Sequence, residues 1–159
     1  MKKFITIFWL FAFLGGLVFG GGSGENKAAQ SEEAVLEELL ALDIAALDVW
    51  YGESNPTLYA EQFADKATYF DPWAAGKVED DAIKEYLMGF TGKIPNCSYE
   101  ILNPRVDLFG DTAVFTFTVD ATVKADGSVV HWNTIHVFTR TRDGWEKVHA
   151  NWSFGVPGS

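Results

Sequence analysis

From Ser31 to Gly52 the apolar positions fall three and four residues apart, at Leu36, Leu39, Leu40, Ile44, Leu47, Trp50 and Tyr51. That spacing gathers them on one face of a helix. Ser31 is placed to cap its start, Glu32 and Glu33 complement the positive end of its dipole, and Gly52 is placed to end it. Asn55-Pro56 reads as a cap followed by a first-turn proline, opening a short second helix that turns Leu58, Tyr59 and Phe63 inward. A third helix over 79–90 puts Ile83, Tyr86, Leu87 and Phe90 on one side. Between the second and third helices the pattern predicts a short strand over 67–71 and a turn.

Beyond Pro95 the period changes to two. Gly110-Asp111, Asp126-Gly127 and Asp143-Gly144 divide the remainder into four long strands of a meander. In 113–122, Ala113, Phe115, Phe117, Val119 and Ala121 alternate with Thr116, Thr118, Asp120 and Thr122, so one face meets a core. In the last strand strict alternation groups Val148, Ala150, Trp152 and Phe154 on the apolar face and Lys147, His149, Asn151 and Ser153 on the polar one. Helices first and antiparallel strands afterwards predict an α+β domain, with three N-terminal helices packed on one face of a strongly curved, mostly antiparallel sheet.

The start of the chain has a different character. Met1-Lys2-Lys3 is followed by the apolar run Phe4 to Phe19 and then by "GGGSGENKAAQ". Residues 1–22 are expected to be a signal peptide or, uncleaved, an N-terminal anchor; 23–31 a flexible leader; and 32–155 the folded domain. The expected location is therefore exported, periplasmic or secreted, with anchoring through residues 4–19 as the alternative. A composition 48% apolar and 15% aromatic suffices for one well-filled core. Without Lys2 and Lys3 the formal charge moves from −10 to about −12, which disfavours nucleic acid and anionic membrane surfaces as partners. The one cysteine, Cys97, precludes an internal disulfide and reads as a packing residue.

The order of elements, with "FADKATYFDPWAAG", a helix carrying "DAIKEY", and a terminal strand "DGWEKVHANWSF", resembles the SnoaL-like and ketosteroid-isomerase-like branches of the nuclear transport factor 2-like superfamily. The closing "GWEKVHANWS" is also similar to the end of the association domain of calmodulin-dependent kinase II. The resemblance spans roughly 33–154 and implies a cone-shaped cystatin-like roll whose bent sheet leaves a mostly apolar hollow. These folds host isomerases, dehydratases, cyclases and non-catalytic assembly domains alike.

Asp71 is the first candidate for chemistry, since Tyr69, Phe70 and Trp73 surround it with company that makes a charge costly. The resemblance implies a general base that moves a proton between carbons; the plainer reading is an Asp-Pro turn whose carboxylate bonds nearby backbone N–H groups. The isomerase pattern then breaks. Its helical tyrosine would fall near Ala45 to Leu47, and its protonated aspartic acid falls at His136. His136 is a candidate oxyanion donor or acid/base; otherwise it is satisfied within the sheet or lies on the convex face at a dimer contact.

Tyr51 and Tyr86 are candidates for the missing hydroxyl donor. The expected pocket wall comprises Trp50, Tyr51, Phe63, Tyr69, Trp73, Tyr86, Phe117, Val119, Trp132 and Trp152, which suits a small apolar or aromatic molecule. His131 and His136, five apart on one strand, should face opposite ways, and no cluster has metal-ligand spacing. The chain is thus expected to bind a small molecule without a cofactor or metal and to pair as a homodimer through the outer sheet face. Two functions stay open: a cofactor-free isomerase, dehydratase, cyclase or hydrolase using Asp71, and a non-catalytic ligand-binding or oligomerisation module.

Overall fold

The computed structural model describes residues 31–156, so the predicted signal and leader lie outside the described residues except for Ser31. Helix α1 spans Glu32–Glu53, α2 Thr57–Glu61 and α3 Asp81–Met88. The strands are β1 Phe63–Phe70, β2 Val78–Glu79, β3 Cys97–Phe109, β4 Thr112–Val123, β5 Val129–Arg140 and β6 Trp145–Phe154. They form one six-stranded sheet ordered β2-β1-β6-β5-β4-β3. Every pairing is antiparallel except β1 with β6, which joins the two parts of the chain. The predicted α+β class, the three helices and the four-strand meander are what the structure contains.

Local chemistry explains the boundaries. Ser31 Oγ accepts the Ala34 N–H, as expected of the cap. Helix α1 runs one residue past Gly52 and closes on Ser54, whose φ of 52° lets its N–H reach the Val49 carbonyl. Asn55 Oδ1 accepts from the Thr57 backbone N–H and hydroxyl, and so secures the entry to α2. That helix is short, because Phe63 already belongs to β1; Tyr59 and Ala60 face inward, while Leu58 is exposed, contrary to expectation. The third helix is also shorter than the predicted 79–90, since Val78 and Glu79 pair with Tyr69 and Thr68 as β2.

The inner sheet face carries Ala113, Phe115, Phe117, Val119, Ala121, Trp132, Phe138, Ala150 and Trp152, and α1 to α3 cover it with Val35, Leu39, Leu47, Tyr59, Ile83 and Leu87. One strand departs from the predicted alternation. Val137 faces His149 and Phe138 faces Lys147, so β6 holds an extra residue at Val148. This bulge reverses the phase of what precedes it, and Lys147, expected on the polar outer face, is fully buried on the inner one. His131 and His136 do face opposite ways: His131 meets Asp120 on the outer face, and His136 points into the core.

Candidate functional site

The helices do not fill the whole cone. A cavity of about 420 Å³ remains between α1, the β1–β2 connection, the segment after α3 and the inner faces of β4 to β6. Of the expected wall, Trp50, Tyr51, Tyr69, Trp73, Trp132 and Trp152 line it, joined by Leu47, Tyr59, Phe90, Ile94, Cys97, Ala121, Val130 and Phe154. Phe63, Tyr86, Phe117 and Val119 are not on the lining. Phe117 and Val119 are packed into the core beneath it, Phe63 is buried at the start of β1, and Tyr86 sits behind Asp71.

Asp71 lines the cavity and also makes the turn. Its Oδ1 accepts the Trp73 N–H and the Tyr86 hydroxyl, each at 2.9 Å, and its Oδ2 accepts the Tyr69 hydroxyl at 2.9 Å. Three of the about four acceptor positions of a carboxylate are thereby taken, which leaves one on Oδ2. Burial raises the proton affinity of both tyrosines, and the adjoining Asp71 charge adds to this, so they stay protonated donors. Tyr86, a candidate free hydroxyl, is thus committed to Asp71. Tyr51 is different: its ring lines the cavity, and burial keeps its phenol protonated.

His136 is not on the lining but stands behind Tyr59. Its Nδ1 lies 2.7 Å from Asp43 Oδ2, and Lys147 Nζ lies 3.1 Å from Asp43 Oδ1, with all three side chains buried. Burial pushes the Asp43 carboxyl up, but His136 and Lys147 more than reverse this and hold it at about 2. Burial lowers His136 to about 4 and Lys147 to about 8, in each case against the pull of Asp43. At neutral pH, Asp43 is therefore an anion, Lys147 a cation and His136 neutral.

An anionic Asp43 can only accept, so Nδ1 of His136 carries the proton and Nε2 accepts the Tyr59 hydroxyl at 3.2 Å. Tyr59 in turn accepts the Trp152 indole N–H at 2.6 Å. Lys147 also lies over the rings of Tyr59, Phe63 and Phe138, with its Nζ 4.0 Å from the Tyr59 centroid. Sequence reasoning missed Asp43 and Lys147. Asp43 had a signal, since it stands four residues from both Leu39 and Leu47 in the apolar stripe; Lys147 had none short of the bulge. His136 is thus one of the satisfied core histidines that the sequence left open, and Tyr59 is the member of its network that reaches the cavity. Among the described residues no group of three acidic, histidine or cysteine side chains is placed to hold a metal.

A six-stranded bent sheet with three helices on its inner face and a hollow at one end is a cystatin-like roll, a fold the chain shares with nuclear transport factor 2-like proteins. The model of the SnoaL-like domain matches residues 44–148, and the chain belongs to that family. Among solved structures it is similar to a candidate ketosteroid isomerase from Parabacteroides distasonis, with 26% identity, a TM-score of 0.68, and coverage of 84% of this chain and 96% of that one. It is similar in fold to the calmodulin-dependent kinase II hub of S. rosetta, at 23% identity and a TM-score of 0.61, covering 80% and 98%. It also shares the fold of a candidate dehydratase from Streptomyces avermitilis, at 15% identity and a TM-score of 0.65, covering 79% and 99%. No curated protein matches by sequence.

Proposed function

We propose that the chain is an exported pocket protein that binds a small apolar or aromatic molecule in the hollow of the cone, with Asp71 acting on the ligand's polar end. The observation that carries this reading is a cavity whose wall is almost wholly apolar and aromatic, with Asp71 as its one carboxylate among the described residues. Nothing else on the lining is as well placed to take a proton. Tyr59, Tyr69 and Tyr51 are all held protonated, and Lys93 is exposed and donates to the Gly89 carbonyl. Proton transfer within a bound ligand, without a cofactor, is the reaction class this supports, and the Tyr51 hydroxyl is the candidate donor to a developing oxyanion.

The experiment has two parts. Calorimetric titration with 2-phenylethanol, a neutral aromatic probe, should show saturable binding that Ala121→Phe, which fills the cavity from β4, removes. A bicyclic aromatic ketone incubated in D2O should lose its α-hydrogens by NMR faster with the wild type than with Asp71→Asn. No binding, or binding untouched by Ala121→Phe, sinks the pocket reading; equal exchange sinks the catalytic role of Asp71.

A second reading is favoured by the outer sheet face, where Ile135 and Phe70 stand exposed on β5 and β1. It makes the chain a homodimer through that face, as the hub likeness suggests for assembly. Light scattering after gel filtration tests it, with Ile135→Asp expected to give monomers.

A further inference from the structure

Asp71 places a carboxylate in an aromatic cavity, and no cationic side chain among the described residues pairs with it there. Its partners are two phenol hydroxyls and one backbone N–H, all neutral. No ion pair among the described residues includes it. Three donors spread the charge without cancelling it, and one acceptor position on Oδ2 stays open.

The surroundings suit a positive partner. The Trp73 N–H that binds Asp71 belongs to a residue whose ring lies 5.2 Å from that of Trp132 and 5.7 Å from that of Phe154. Trp132 and Phe154 stack on each other at 4.9 Å, and Phe90 continues the belt, 6.2 Å from Trp73 and 6.1 Å from Trp50. Rings at several inclinations around one space present negative faces as well as edges, the arrangement that attracts an organic cation. Trp73 and Phe154 are more than half exposed, so the belt stands at the mouth, where a charged group can enter. Among the described residues the only cationic side chain on the lining is Lys93, and its ammonium is drawn back to the Gly89 carbonyl at 2.7 Å. The chain's formal charge of −10 favours the same sign of ligand.

We infer that the ligand is an aromatic or cyclic amine, protonated at neutral pH, whose ammonium N–H binds the open position of Asp71 Oδ2 while its apolar body fills the cavity and the Trp73, Trp132 and Phe154 rings enclose the charge. The inference rests on the cavity being the ligand site proposed above.

Calorimetry on the full chain at neutral pH with three probes of one shape tests it: 2-phenylethylamine, 2-phenylethanol and phenylacetate. The amine is expected to bind at least about tenfold more tightly than the alcohol, and phenylacetate more weakly than either. Asp71→Asn should reduce the preference for the amine over the alcohol to less than about threefold. If the alcohol binds and the amine gains nothing, or if the preference survives Asp71→Asn, the cation proposal is overturned and the pocket reading stands. If no probe binds, both fall. Phenethyltrimethylammonium separates the two parts of the recognition: it keeps the contribution of the rings and loses that of the hydrogen bond, so it should fall between amine and alcohol. Equality with the alcohol would overturn the enclosing role of the rings.

Discussion

The buried histidine makes the fold sensitive to mild acid. His136 has no exposed surface and is held near 4, against an ordinary 6.5, because burial disfavours its charged form and the Lys147 ammonium adds to this, against the pull of Asp43. The direction of the effect is fixed by linkage. A group whose proton affinity is lower in the fold than in the unfolded chain lets the unfolded chain bind the proton first, so stability is full above 6.5 and drains as the pH falls towards 4. Between roughly pH 7.5 and roughly pH 5, proton uptake by the unfolded chain alone withdraws about 2 kcal/mol. Asp43, held at about 2 against 3.8, contributes almost nothing over that interval and enters only in stronger acid. Lys147 stays protonated in both states below about 8 and is nearly silent there. His149, lowered by partial burial, drifts the same way and has to be controlled for.

Urea unfolding followed by tryptophan fluorescence at a series of pH values measures the loss, with His136→Asn and His149→Asn run in parallel. The wild type should lose about 2 kcal/mol over that interval; His136→Asn, weaker at every pH, should lose well under half as much. A wild type that holds its stability down to about pH 4.5, or a His136→Asn variant with an undiminished acid slope, refutes the assignment of a neutral buried imidazole.

Three further predictions follow from the same geometry. Removing either member of the buried Asp43–Lys147 pair, by Asp43→Leu or Lys147→Met, should cost about 3–5 kcal/mol because it leaves the other charge buried without its partner, and the double variant should be more stable than either single one in thermal melts. Asn103 has a φ of 52° at the β3 bulge beside Pro104, so Asn103→Val should cost about 1–2 kcal/mol while Asn103→Gly is nearly neutral in the same melts. Trp73 is 58% exposed, so Trp73→Ala should leave stability within about 0.5 kcal/mol yet weaken 2-phenylethanol binding severalfold by calorimetry.

How far the sequence showed the fold depends on which interactions set each element. The meander was legible because its turns carry glycine next to aspartate and its strands alternate; Gly110, Gly127 and Gly144 all take positive φ there. Helix α1 was legible through its period, and its cap through Ser31. The limits of α2 and α3 were not, because β1 and β2 take residues whose local pattern also fits a helix, and pairing across the sheet decides that competition. Asp71 and six of the ten expected wall residues do line the cavity, and they were legible as lining candidates because aromatic side chains on the inner period can only face the hollow or the core. Which of the two they face depends on how far each helix reaches, and the local pattern does not hold that distance.

The Val148 bulge shows why the deeper half of the cone was hidden. Strict alternation along β6 places Lys147 in solvent, and one inserted residue places it over the Tyr59 ring. Once inside, the ammonium needs an anion, and the polar position in the stripe of α1, Asp43, supplies it at 3.1 Å. Asp43 then fixes the tautomer of His136, His136 takes the Tyr59 proton, and the Tyr59 oxygen is left to accept from Trp152. The cone's interior is therefore divided by chemistry. One part is a closed polar chain with its protons assigned, and the other is the open aromatic hollow where Asp71 keeps a free acceptor. A ligand that hydrogen-bonds to the protein therefore finds its open carboxylate position at Asp71, while the Tyr59 and Trp152 donors beneath it are already spent.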